Sequence, residues 1–246
     1  MKFEDIKGLR LGNDGYLNIP SHIKKIKFDV GLSWCAPNSA AWLKNDINNE
    51  LFVIGIEPNR FACERIGNKV LNPHPPYEEY NIDENNYMLL HCAIDNVFEL
   101  TMQDFYHIGD DPGTSSFLKP TSKLERRHHL KVAEVSKVVT IPLSFLLEKI
   151  PWDRFEYIEH IKTDCQGKDL DVVLSCGDFL EKIVFLDCEV ATGGLYENEL
   201  DTGFVVNTIE SKGFKLISYG VNSSFVNKNL EHLVSKHNLN NYTTKY

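Results

Sequence analysis

The chain has 246 residues, room for one large α/β domain, and its 42% hydrophobic and 25% charged content is that of a globular protein rather than a disordered or fibrous one. A net charge of −9 argues against nucleic acid as the main ligand, because phosphate binding depends on Lys and Arg. No apolar run nears the roughly 20 residues that span a bilayer, and the acidic start MKFEDIKGLRLGNDG lacks a secretory core, so the expectation is a cytoplasmic protein with no membrane partner.

Residues 1–22 carry Gly8, Gly12, Gly15 and Pro20 and are expected to form an irregular N-terminal arm, with 23–246 a single domain. Lys25 to Val30 reads as a strand, and Ala36 to Asn45 as a helix opened by Pro37, at a position where proline is tolerated. Leu51 to Ile56 is a strand and Arg60 to Ile66 a helix. Asn72 to Tyr80 (NPHPPYEEY) must be a loop or extended crossing. Tyr87 to Ala93 reads as a third strand. From Asp95 to Glu134, two turn clusters suggest a long mobile segment.

Val135 to Ile141 is a strand, Leu143 to Lys149 a short helix, and Tyr157 to Thr163 a strand running into Asp164. Lys168 to Leu174 is helical, and Ile183 to Cys188 is a buried strand ending near Glu189. Glu197 to Lys212 reads as an amphipathic helix with Leu200, Phe204, Val205 and Ile209 inward, stopped by Gly213. FKLIS and SFVN close the chain as an antiparallel hairpin. Strands alternating with helices imply right-handed crossovers, hence an α/β fold with a mostly parallel sheet, helices on both faces and one antiparallel strand near an edge.

Six cysteines are scattered without a C-x-x-C pair or zinc spacing and read as reduced, largely buried thiols; no metal site is expected. The basic run KLERRHHLK reads as a solvated helix or loop face.

Two clusters carry chemistry. In the first, Asp29-Val30-Gly31 ends a strand. Gly31 allows a sharp turn and close ligand approach, Ser33 follows in the same turn, and the next helix offers free N–H groups. Glu57, just past the second strand, has two acceptor oxygens for the two hydroxyls of a ribose; a solvent-exposed strand-end acid is the plainer alternative. His91, Ala93, Ile94 and Asp95 end the third strand, where such sheets face an adenine, and Asp95 can accept from its amino group or serve as an ordinary turn residue. In the second cluster, IKTDCQGKDL, Lys162 and Asp164 alternate with Ile161 and Thr163 and point together toward the carboxyl edge of the sheet, for catalysis or for a structural ion pair.

DVGLSWCAPNS, FVIGIEPN, GTSSF, TIPLSFLLEKI, IKTDCQGKDLDVVLSCGDFL and IVFLDCE, in that order from Lys25 to about Glu189, resemble the FkbM-type methyltransferases. The resemblance implies a Rossmann-like class I methyltransferase fold with a seven-stranded sheet, and S-adenosylmethionine as cofactor. It implies that Asp29, Gly31 and Glu57 hold the methionine and ribose ends, with Ser115 or Ser116 nearby, and that Lys162 and Asp164 match its K-x-D beside the reacting methyl. The chain departs from the pattern in two segments. Ser33 and Cys35 or Ala36 stand where a second glycine and an asparagine are usual, and Gln166 stands where Glu is common.

The function expected is methyl transfer to a hydroxyl of a sugar or other small metabolite, with residues 72–134 shaping the acceptor pocket. Asp164 is the first candidate to take the acceptor's proton and Lys162 to stabilise charge; His91 and Glu189 are weaker ones. A non-catalytic Rossmann-like binding domain and an NAD-dependent oxidoreductase are the alternatives, the second lacking its G-x-G-x-x-G.

Overall fold

The computed structural model describes residues 2–69, 82–109, 111–191 and 193–234; the proline-rich 72–80 stretch lies outside them. In chain order the elements are β1 (Lys25–Val30), α1 (Pro37–Asn45), β2 (Leu51–Ile56), α2 (Arg60–Gly67), β3 (Tyr87–Leu90), β4 (Ala93–Ile94), β5 (Thr101–Ile108) and α3 (Ser122–His128). They continue with β6 (Val132–Ile141), α4 (Leu143–Leu147), β7 (Ile158–Thr163), α5 (Asp169–Leu174), β8 (Ile183–Glu189), α6 (Thr202–Ser211), β9 (Phe214–Ser218) and β10 (Asn222–Asn227).

Seven strands form one sheet in the order β3-β2-β1-β7-β8-β10-β9, parallel except that β10 runs antiparallel to both neighbours. The central strands are apolar because both of their faces are covered. Every residue of β2 (LFVIGI) is buried. On one face Phe28, Ile54, Met88, Ile161, Leu186 and Phe225 pack with Leu146 of α4, Val173 of α5 and Ile209 of α6. On the other, Leu51, Val53 and Tyr87 meet Leu43 of α1 and Ile66 of α2. The N-terminal arm joins the first core through Ile6, Leu17 and Ile19. No helix among the described residues is long and apolar enough to cross a membrane.

Three expectations are corrected. The 95–134 stretch is ordered over most of its length: β5 pairs antiparallel with β6 over eight positions, and with β4 they make a separate three-stranded sheet. TMQDFYHI shows the alternation of a half-buried strand only weakly in sequence, since its exposed face carries the apolar Met102 and its inner face the polar Gln103 and His107. Its partner also starts two dozen residues later, so no short hairpin turn announces the pair. The expected strand Tyr87 to Ala93 breaks after Leu90, because His91 gives its N–H to Lys7 O in the arm (3.0 Å) and Ala93–Ile94 turns to pair with β6. Finally, α6 begins at Thr202, where Asp201 caps it by accepting from Phe204 N (3.0 Å). That later start puts Val205, Val206 and Ile209 inward and leaves Leu200 and Phe204, at 39% and 55% exposure, outside.

Candidate functional site

The carboxyl ends of β1, β2 and β7 are knitted together at Gly31. Its N–H bonds Ile56 O (3.0 Å) and Asp164 N bonds Val30 O (2.9 Å). Gly31 sits at φ +83°, and a Cβ there would lie 2.0 Å from the Asp164 carbonyl oxygen, so only glycine permits this approach. The next turns lack that freedom. Ser33 and Ala36, where the sequence departs from the glycine pattern, are held at φ +57° and +48°, a left-handed conformation that costs about 1–2 kcal/mol for a residue with a Cβ.

Glu57 extends β2, its N–H bonding Leu90 O (3.0 Å). One carboxylate oxygen accepts from Leu32 N (2.9 Å) and the other from Asn59 N (2.7 Å). Burial pushes this carboxyl up to about 7, against the pull of those two N–H groups. Each oxygen keeps a second lone pair for a ligand hydroxyl.

A cavity opens over these strand ends. Gly31, Ser33, Glu57, Ala93, Ser115 and Asp164 all line it. Its apolar wall includes Ile94, Pro58 and the rings of Phe105 and Phe117, which meet edge to face at 5.5 Å. The long 95–134 stretch thus contributes a wall to the cavity, and no periodic signal in the sequence marked either ring.

The other four expected residues stand behind that lining. Asp29 is fully buried and accepts from Ser39 N (3.0 Å) and Ser39 Oγ (2.6 Å), fastening the first turn of α1 to β1. Burial pushes its carboxyl up, with Lys162 and Ser39 opposing. Lys162 donates to Asp164 Oδ2 (3.1 Å); burial acts to lower its pKa, but Asp164 and Asp29 outweigh that and raise it, so it stays charged. Asp95 accepts from Lys168 Nζ (3.0 Å) and Asn96 N (2.8 Å). Ser116 Oγ donates to Gln166 O (2.8 Å), tying the GTSSF loop to the β7 exit.

Beyond Asp164 the structure brings in Gln166, Glu189 and Tyr196. Gln166 Nε2 donates to Asp164 Oδ1 and to Glu189 Oε2, each at 2.8 Å. The Tyr196 hydroxyl donates to Thr114 O (2.6 Å) and lies 2.9 Å from Gln166 Oε1. Burial, with Asp164 and Asp169 close by, drives the Glu189 carboxyl well above the ordinary range. Tyr196 follows a Gly-Gly turn far from either motif and had no sequence signal. His91, set against Pro58 O at 3.1 Å with its pKa lowered by burial, lies outside the cavity lining.

The cluster can therefore hold a ligand with vicinal hydroxyls at Glu57, a flat apolar group between Ala93 and the phenyl rings, and a positive charge near Asp164. Compared with known families, residues 44–216 match the model described as Methyltransferase FkbM domain. The match opens near the end of α1, so β1 and the Gly31 turn precede it. No curated protein and no solved structure matches the chain.

Proposed function

The chain belongs to the FkbM methyltransferase family, whose model covers residues 44–216, and from that membership we propose an S-adenosylmethionine-dependent methyltransferase acting on a hydroxyl of a small metabolite, such as a sugar. The single observation that supports this most is the sharing of one cavity by Gly31, Glu57, Ala93 and Asp164, which come from the ends of β1, β2, β4 and β7. A class I methyltransferase architecture is supported by the seven-strand order, with its single reversed strand one place in from the edge.

The residues present fit the cofactor. Glu57 keeps acceptor capacity for both ribose hydroxyls, the Gly31 turn leaves backbone exposed for the amino-acid end, and the wall of Ile94, Phe105 and Phe117 suits adenine. When bound, S-adenosylmethionine supplies an electrophilic methyl group on a sulfonium.

The chain's own part is alignment and proton removal. Holding an acceptor oxygen in line with the methyl supplies on the order of 7–11 kcal/mol in well-oriented systems. Asp164, half held by Lys162 and half by Gln166, is oriented at the cavity to accept the hydroxyl proton as the new bond forms. Lys162 pairs with that carboxylate and fixes its orientation.

The left-handed Ser33 and Ala36 favour one other reading, a binding domain of the same fold that has lost catalysis. Calorimetric titration with S-adenosylmethionine, S-adenosylhomocysteine and NAD tests these readings. Micromolar one-to-one binding of the first two, with transfer to some hydroxylated acceptor, is expected. Binding of NAD, or of none of the three, refutes the proposal.

A further inference from the structure

Asp164 and Glu189 converge on one amide nitrogen, which has a proton to give to each. Gln166 is fixed in this role by its left-handed backbone (φ +52°), by Ser116 Oγ on its carbonyl and by the Tyr196 hydroxyl beside Oε1. Glu189 lies outside the lining of the Gly31–Glu57 cavity and faces a second, small pocket with Asp169 and Glu199. Of the charges acting on it, Asp164 and Asp169 are negative and Lys162, already bound to Asp164, is positive. On its own strand Asp187 is engaged with His160 (3.0 Å), and its β10 neighbour across the ladder is the uncharged Asn222.

Carboxylates gathered in a partly buried site with a single lysine do not all ionise; one keeps its proton. Burial and the two aspartates raise Glu189, so the proton resides there at neutral pH. A ligand that brings a positive charge removes the reason for keeping it.

We propose that the Asp164–Gln166–Glu189 array binds the sulfonium cofactor in exchange for a proton, and so holds the charged donor more tightly than its uncharged thioether product. The proposal rests on the cofactor assignment above. On binding, the Glu189 carboxylic acid gives one proton to solvent, and the sulfonium takes over its part of the charge balance. On transfer, the acceptor O–H bond breaks as the O–CH3 bond forms. The S–CH3 electron pair stays on sulfur, and the acceptor's proton passes to Asp164 and so restores the array's proton. The neutral thioether then leaves a site that no longer needs a cation.

Calorimetry of the full chain in buffers of different ionisation enthalpy, from about pH 6.5 to 9.5, reads the exchange directly. A positive charge within about 4–6 Å shifts a carboxyl by roughly 1–3 pH units, so at the best pH at least about half a proton is released. That release is measured as wild type minus Glu189→Gln, which cancels titration of the ligand and of Glu57. The difference is expected with S-adenosylmethionine and absent with S-adenosylhomocysteine. Asp164→Asn, which removes the partner charge, gives the same loss and stands in if Glu189→Gln fails to fold. Equal proton release by wild type and variant, or by the two ligands, overturns the proposal while leaving the cofactor assignment intact. Failure of both ligands to bind overturns both.

Discussion

Gly31→Ala would place a methyl carbon 2.0 Å from the Asp164 carbonyl oxygen and 2.8 Å from its carbon, far inside contact distance with backbone that cannot rotate away. At φ +83° the alanine also carries the left-handed penalty of about 1–2 kcal/mol. Relieving the clash means parting β1 from β7 where Asp164 N bonds Val30 O, an over-packing cost of about 1–3 kcal/mol. The sum is a destabilisation of about 2–5 kcal/mol. Gly15 supplies the control, because it has nearly the same φ, +81°, and nothing lies within 4 Å of where its added methyl would stand. Gly15→Ala therefore bears only the conformational part, and the difference between the variants isolates the close approach. Urea unfolding, compared at equal m values, measures both. Gly31→Ala should also lose cofactor affinity, since Gly31 itself lines the cavity and its turn would shift. If Gly31→Ala costs no more than Gly15→Ala, the packed β1–β7 junction described here is wrong.

Ser33→Gly relieves one left-handed residue, and after the added unfolded-chain entropy of glycine it should raise stability by up to about 1 kcal/mol in the same urea assay. Glu57 titrates near 7 when folded against 4.5 in the unfolded chain, so the folded state binds the extra proton between those values. Its contribution is fully present below about pH 4.5 and is lost as pH rises through about 7, a fall of at most about 3 kcal/mol; Glu57→Gln should flatten that slope in stability measured across the window. Asp164→Asn should lower methyl transfer by about 100-fold or more while changing the S-adenosylmethionine Kd less than about tenfold, followed as thioether formed with a panel of hydroxylated acceptors. Unchanged turnover would remove Asp164 from the chemistry.

The main sheet was legible because its strands are buried on both faces and stand as short apolar runs bounded by Gly, Pro or acid: KIKFDV, LFVIGI and IVFLDCE lie where the sequence puts them. The small sheet was hidden because β5 is half exposed and its partner is remote in sequence, so pairing rather than pattern decides it. At the site, Gly31 and Glu57 were readable from strand-end position alone. The positions of Asp29 and Asp95 were not, because whether a strand-end acid faces a ligand or a neighbour depends on Ser39 and Lys168, which reach them from a helix and a turn. Tyr196 was invisible for a similar reason: its role comes from loop packing against Thr114 and Gln166.

The most direct test of the account is a crystal structure of the chain with S-adenosylhomocysteine. The ribose hydroxyls are predicted on the Glu57 carboxylate, the adenine between Ala93 and the Phe105–Phe117 wall, and the sulfur on the Asp164 side of the cavity. Density for the ligand at another place, or with Glu57 out of reach of the ribose, would contradict it.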